Sequence, residues 1–151
     1  MNLPDYLGSL GACPEAREWA EPYATLAEAW TACERADWLL WYAGRRGVDR
    51  KILVRAACAC ARTVLPYVPV GEDRPHRAIE MAERWCDGLA TLQEVGAAAY
   101  AAYAAADAAA YAAAYAADAY AADAARRQAN MRMCQIVREH ISLQEITEAT
   151  S

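Results

Sequence analysis

Four side chains have the spacing to act together: Lys51, Arg55, Cys58 and Arg62. On a helix of ~100° per residue they fall within an arc of about 60°, a basic stripe enclosing one thiol. Cations beside a cysteine stabilise the thiolate, the form that attacks electrophiles. A thiol-dependent activity at Cys58 between Arg55 and Arg62 is therefore the enzymatic alternative. No histidine is local to the stripe and no orienting carboxylate is evident, so it reads instead as a basic face paired with acids elsewhere, such as Asp107 and Asp118. Cys58 and Cys60 are two residues apart, which puts them about 200° apart on a helix and rules out a shared metal. His76 and His140 lie far apart in sequence, and a protonated histidine near a helix C-terminus suits the helix dipole. In GEDRP, residues Glu72, Asp73 and Arg74 fall at a helix start, where acids bond free N–H groups. There is no glycine-rich phosphate loop, no GxSxG and no HExxH. The expectation is a binding protein with no catalytic residue, metal site or cofactor.

The side chains best placed for recognition interrupt a run of alanine, AAAYAAYAAADAAAYAAAYAADAYAADAA, at residues 97–125. Alanine has the highest helix propensity, because it loses no side-chain entropy and hides no polar group. Tyr100, Tyr103, Asp107, Tyr111, Tyr115 and Asp118 share one face, within about 120° of arc. The opposite face is bare methyl groups until Tyr120 and Asp123, and such a face admits another helix at close range. The stripe keeps an alanine helix solvated. It also forms a contact surface, since tyrosine offers rigid amphipathic area at low entropic cost. A protein partner is expected at these six residues, and a second copy of the chain is the partner that the alanine face would suit.

The chain has 151 residues, a net charge of −5 and a hydrophobic fraction of 57%, much of it alanine. Its length suits one domain able to bury a core. The acidic balance argues against nucleic acid, which calls for a concentrated basic surface. No strongly apolar run is long enough to span a membrane, and MNLPDYLGSLGAC lacks the basic start of an export signal. A cytoplasmic location is expected, with the six cysteines (13, 33, 58, 60, 86 and 134) as reduced, packed thiols.

Strand signals are almost absent, apart from a short VLPYVPV. Helix boundaries are marked by local punctuation. Pro14 opens a helix to Tyr23, and Thr25 with Glu28 forms a capping box for Leu26–Cys33. Asp37 is expected to cap WLLWYAGRR, which stops at Gly47, and Asp49 to cap Arg50 to about Leu65. A further helix runs from GEDRP to Asp87 with Gly88 at its C′ position. Trp38, Trp41 and Trp85 read as core rather than as a ligand cage, the alternative for such an aromatic group. Thr91 and Glu94 form another capping box, after which nothing clearly stops the helix before Ile141, roughly 76 Å at ~1.5 Å per residue. The fold class is all-α: one helical domain over residues 1–141, with core 14–95 and a long Ala/Tyr/Asp-rich helix 91–141. A break is expected near 120–130, and 142–151 is expected to be a frayed tail.

Several strings together resemble a family of small bacterial and bacteriophage immunity proteins. These are AWTACERADWLLWYAGR (29–45), LVRAACACARTVLPYVPVGEDRPHRAIEMAERW (53–85), the Ala/Tyr/Asp helix, and QIVREHI (135–141). The resemblance covers residues 26–141 in the same order. It marks Trp38, Trp41, Cys58, Cys60, Arg62, Glu72, Arg74 and Pro75 as signature positions. It implies an inhibitor of a toxin or defence component, in a bacterial or phage conflict system, and brings no catalytic residues. Tyrosine here replaces much of the aspartate of similar chains, so the implied recognition is not purely electrostatic.

Overall fold

The computed structural model describes residues 1–63, 65–97 and 119–148, and among them every regular element is helical. The order is α1 (Leu3–Ser9), α2 (Pro14–Trp19), α3 (Leu26–Ala32), α4 (Ala36–Arg45), α5 (Arg50–Arg62) and a 3₁₀ turn (Leu65–Tyr67). It continues with α6 (Arg74–Cys86), a helical segment at 92–97 (α7), α8 (Ala119–His140) and α9 (Leu143–Glu148). The all-α class read from the sequence is the fold observed.

Local chemistry accounts for most boundaries. The Thr25 hydroxyl accepts from the Glu28 N–H at 3.2 Å, and the Glu28 carboxylate accepts from the Thr25 N–H at 3.0 Å, closing the expected capping box. Asp49 accepts from the Lys51 N–H at 2.8 Å. Thr91 and Glu94 form the second box, with the Glu94 N–H donating to the Thr91 hydroxyl at 3.1 Å. Gly47 and Gly88 adopt φ of 83° and 75°, the left-handed conformation that ends α4 and α6. Each is followed by the long return bond of a Schellman motif, Val48 N–H to Ala43 carbonyl (3.1 Å) and Leu89 N–H to Arg84 carbonyl (2.8 Å).

Other expectations are corrected. Helix α1 precedes the first helix read from the sequence; Asn2 caps it through the Asp5 N–H at 2.8 Å. Helix α2 stops at Trp19 rather than Tyr23, before the Glu21–Pro22 step where a helix is disfavoured. Arg35, not Asp37, is the N-cap residue of α4; Asp37 lies in the first turn, paired with Arg35. Helix α5 ends at Arg62, short of Leu65. Helix α8 is continuous from Ala119 to His140, across the stretch where a break was expected. Residues 143–148 form α9 instead of a frayed end: Ser142 and Glu145 make a reciprocal capping box, and Ile146 is buried in the core.

The core forms where α4, α5 and α8 pack together and where α6 packs on α5. Small residues make the close approaches possible: Ala43, Ala56 and Cys134 have no solvent exposure. Val137, Ile141 and Ile146 supply the bulk from the C-terminal end. The five buried cysteines pack as free thiols. Arg138 ties α8 to the end of α3, donating from Nε and Nη2 to the Trp30 carbonyl (3.1 and 2.7 Å) and from Nη2 to the Cys33 carbonyl (2.7 Å). The cap residue Cys33 is extended, so α3 has no left-handed cap and this guanidinium satisfies its terminal carbonyls instead.

Candidate functional site

The two arginines of the α5 stripe are paired within the chain. Arg62 meets Glu83 of α6 with two bonds, Nε at 2.7 Å and Nη2 at 2.8 Å, and Arg55 meets Asp87 at 2.9 Å. The acids that pair these arginines are therefore on α6 and at its C-cap, Asp87. Cys58 is buried beneath them, with its Sγ 3.9 Å from the Ile79 carbonyl. Burial, reinforced by the Glu83 charge, pushes its thiol up to about 11, so at neutral pH it is protonated. Desolvation outweighs the two arginines because their charges are already balanced by carboxylates. Cys60 is buried too, near the Met133 carbonyl, and among the described residues no cluster of His, Cys, Asp and Glu could hold a metal.

The GEDRP corner caps α6 through Glu72, whose carboxylate accepts from the Arg74 N–H at 3.1 Å and from its Nε at 2.7 Å. The Arg74 guanidinium holds the Glu72 carboxyl down to about 2. Asp73 pairs with Arg77, and His76 lies 3.2 Å from Glu80 one turn on. His140 turns its Nδ1 to the Ile136 carbonyl at 2.9 Å. These residues serve helix ends and faces.

The feature that the core reading of Trp38 and Trp41 set aside is an aromatic pocket of about 400 Å³, completed by Trp19 and Trp30, that opens to solvent among α1–α4. Trp19 comes from α2, Trp30 from α3, and Trp38, Trp41 and Tyr42 from α4. The Trp19 and Trp38 rings are 5.6 Å apart at 59°, and Trp30 meets Tyr42 edge-on at 6.2 Å. The Arg35 guanidinium stacks over Trp38 at 4.5 Å from the ring centre. It also grips both Asp37 oxygens, at 2.9 and 2.7 Å, and reaches Glu15 at 3.4 Å. That hydrogen-bonded pairing holds the Asp37 carboxyl below its ordinary range. Behind the aromatic wall, the Tyr42 and Tyr6 hydroxyls are 3.1 Å apart, and burial raises the Tyr42 phenol.

Trp38 and Trp41, expected in the core with Trp85, are half-buried pocket walls that pack against the core from outside. Trp85 sits apart, half-buried on α6. The six expected partner-binding residues, Tyr100, Tyr103, Asp107, Tyr111, Tyr115 and Asp118, lie outside the described residues, as does the alanine face opposite them. Their flanks are described: Leu92 on α7 is exposed, whereas α8 is fixed to the core through Cys134 and Val137.

The chain defines an all-α protein with an open aromatic pocket. Compared with known proteins, it matches no family model, no curated sequence and no solved structure. Among the described residues no helix is long and apolar enough to cross a membrane.

Proposed function

We propose that this chain is a non-enzymatic, cytoplasmic binding protein of the immunity or inhibitor type, which occludes a toxin, nuclease or defence component. The observation that carries this reading is the spacing in sequence of Tyr100, Tyr103, Asp107, Tyr111, Tyr115 and Asp118, which on a helix would fall on one side of an alanine run that offers little else for specific recognition. The state of α5 supports it from the other side. Cys58, the thiol that an enzymatic reading would use, is buried and protonated, and its flanking arginines are committed to Glu83 and Asp87. The same pairings neutralise both arginines of the α5 stripe, which weakens it as a patch for a phosphate backbone, and the net charge of −5 adds repulsion.

The test is affinity capture from a lysate of the source cell, comparing tagged wild-type protein with the Tyr111→Ala/Asp118→Ala variant. A single stoichiometric protein that is lost in the variant, and that binds the purified wild-type chain again, supports occlusion through the stripe. Retention by the variant moves the interface off the stripe. No captured protein, together with a dimer or larger species in light scattering, replaces the reading with self-assembly through the alanine face.

A further inference from the structure

We infer that the four-tryptophan pocket is a binding site for an uncharged, planar aromatic small molecule. This inference does not depend on the partner-occlusion reading. The pocket's volume, about 400 Å³, is that of small-molecule sites rather than of a packing defect. Its walls are chiefly ring surface from Trp19, Trp30, Trp38, Trp41 and Tyr42, brought together from three helices. Flat aromatic partners gain from offset or edge contacts with such rings beyond what area burial alone provides.

The polar groups at the site argue for an uncharged occupant. Asp37 lines the pocket, but both its oxygens are held by Arg35, whose remaining reach goes to Glu15 and the Trp38 face. Asp37, the one carboxylate or cation among the pocket's lining residues, is thus already paired, and an ionised ligand would give up its hydration without gaining a free counter-charge there. The Tyr42 hydroxyl is similarly occupied by that of Tyr6. What the site offers an incoming group is ring surface and shape. At the mouth stands Cys13, the exposed thiol of the six.

The positions of the tryptophans supply an internal control, because four line the pocket and the fifth, Trp85, lies on α6. The experiment titrates the full chain at pH 7 with 2-naphthol and follows the five indole N–H signals by NMR. Saturable shifts of the Trp19, Trp30, Trp38 and Trp41 signals, with Trp85 unmoved and a Kd on the order of 100 μM or tighter, are expected. Saturating 2-naphthol should also slow the reaction of Cys13 with a thiol reagent at least about threefold, because the ligand covers the mouth. Ala16→Leu, which places bulk at the pocket wall, should weaken binding at least about tenfold with an unchanged far-UV spectrum. If Ala16→Leu fails to fold, Trp38→Leu serves the same purpose by removing one wall. Shifts that do not saturate, or that move Trp85 equally, overturn the site. Tighter binding of a naphthyl-trimethylammonium ion than of 2-naphthol overturns the uncharged assignment.

Discussion

Arg138 offers the sharpest test of how this fold is held together. Its guanidinium donates three bonds, two to the Trp30 carbonyl and one to the Cys33 carbonyl, at the end of a helix with no other C-terminal cap. Arg138→Met keeps an apolar stem of similar length and removes the donors. Each carbonyl left without a partner costs about 1–3 kcal/mol when buried. Both sites are only partly buried, so water recovers some of this, and the loss should be about 3 kcal/mol. That is a large share of the ~5–15 kcal/mol of a typical domain, and at this chain length it lowers Tm by roughly 6–12 °C. Arg138→Lys supplies a point charge without the planar fork and should lose about half as much. Urea unfolding at pH 7, followed by tryptophan fluorescence and far-UV circular dichroism together, measures both variants. A loss below about 0.5 kcal/mol for Arg138→Met, with unchanged m, would refute the clamp, because that is the scale of an uninvolved surface substitution.

Two further outcomes follow from the same packing. Ile146→Ala should destabilise by about 2–4 kcal/mol, since the side chain is 1% exposed; a frayed tail would give a urea midpoint unchanged from wild type. Stability should also fall in alkali. Burial raises the Cys58 thiol to about 11 and the Cys134 thiol to about 12, so the folded chain keeps protons that the unfolded chain releases from roughly pH 8.5 upward. The contribution is complete below that pH and is lost as pH rises through the folded values. Urea midpoints at pH 8 and pH 10 should therefore differ, and Cys134→Ala should reduce the difference; equal slopes in variant and wild type would remove Cys134 from the account.

Boundaries written in a few consecutive residues were legible. Thr25 with Glu28, Asp49, Thr91 with Glu94, and Gly88 each act within one helical turn, so spacing alone identifies them. Ser142 with Glu145 has the same spacing, yet the segment after it looked frayed. The missing information is non-local: α9 persists because α8 brings it where Ile146 can enter the core. Helix α1 was equally short, and its Leu3 and Leu7 gain their burial only from the assembled bundle.

The candidate site was illegible for a related reason, and the direction of the error is instructive. Spacing along α5 correctly put Lys51, Arg55, Cys58 and Arg62 on one face, but a face has no chemistry until its opposite number is known. Glu83 and Asp87, which turn that face into ordinary ion pairs, lie 21 and 32 residues from the arginines they neutralise. The pocket inverts the case. Trp19, Trp30 and Trp38 sit on three short helices, and only the packing of α2, α3 and α4 gives them a common opening. Arg35 connects the two lessons. It is one residue outside α4, yet it fixes Asp37, covers Trp38 and reaches Glu15 on α2. Its removal should therefore expose an uncompensated Asp37 at the pocket mouth and shift the site's preference from neutral aromatics toward aromatic cations. Titrating Arg35→Ala with 2-naphthol and with naphthyl-trimethylammonium measures that exchange. An unchanged order of affinities would show that Arg35 does not set the charge of the site.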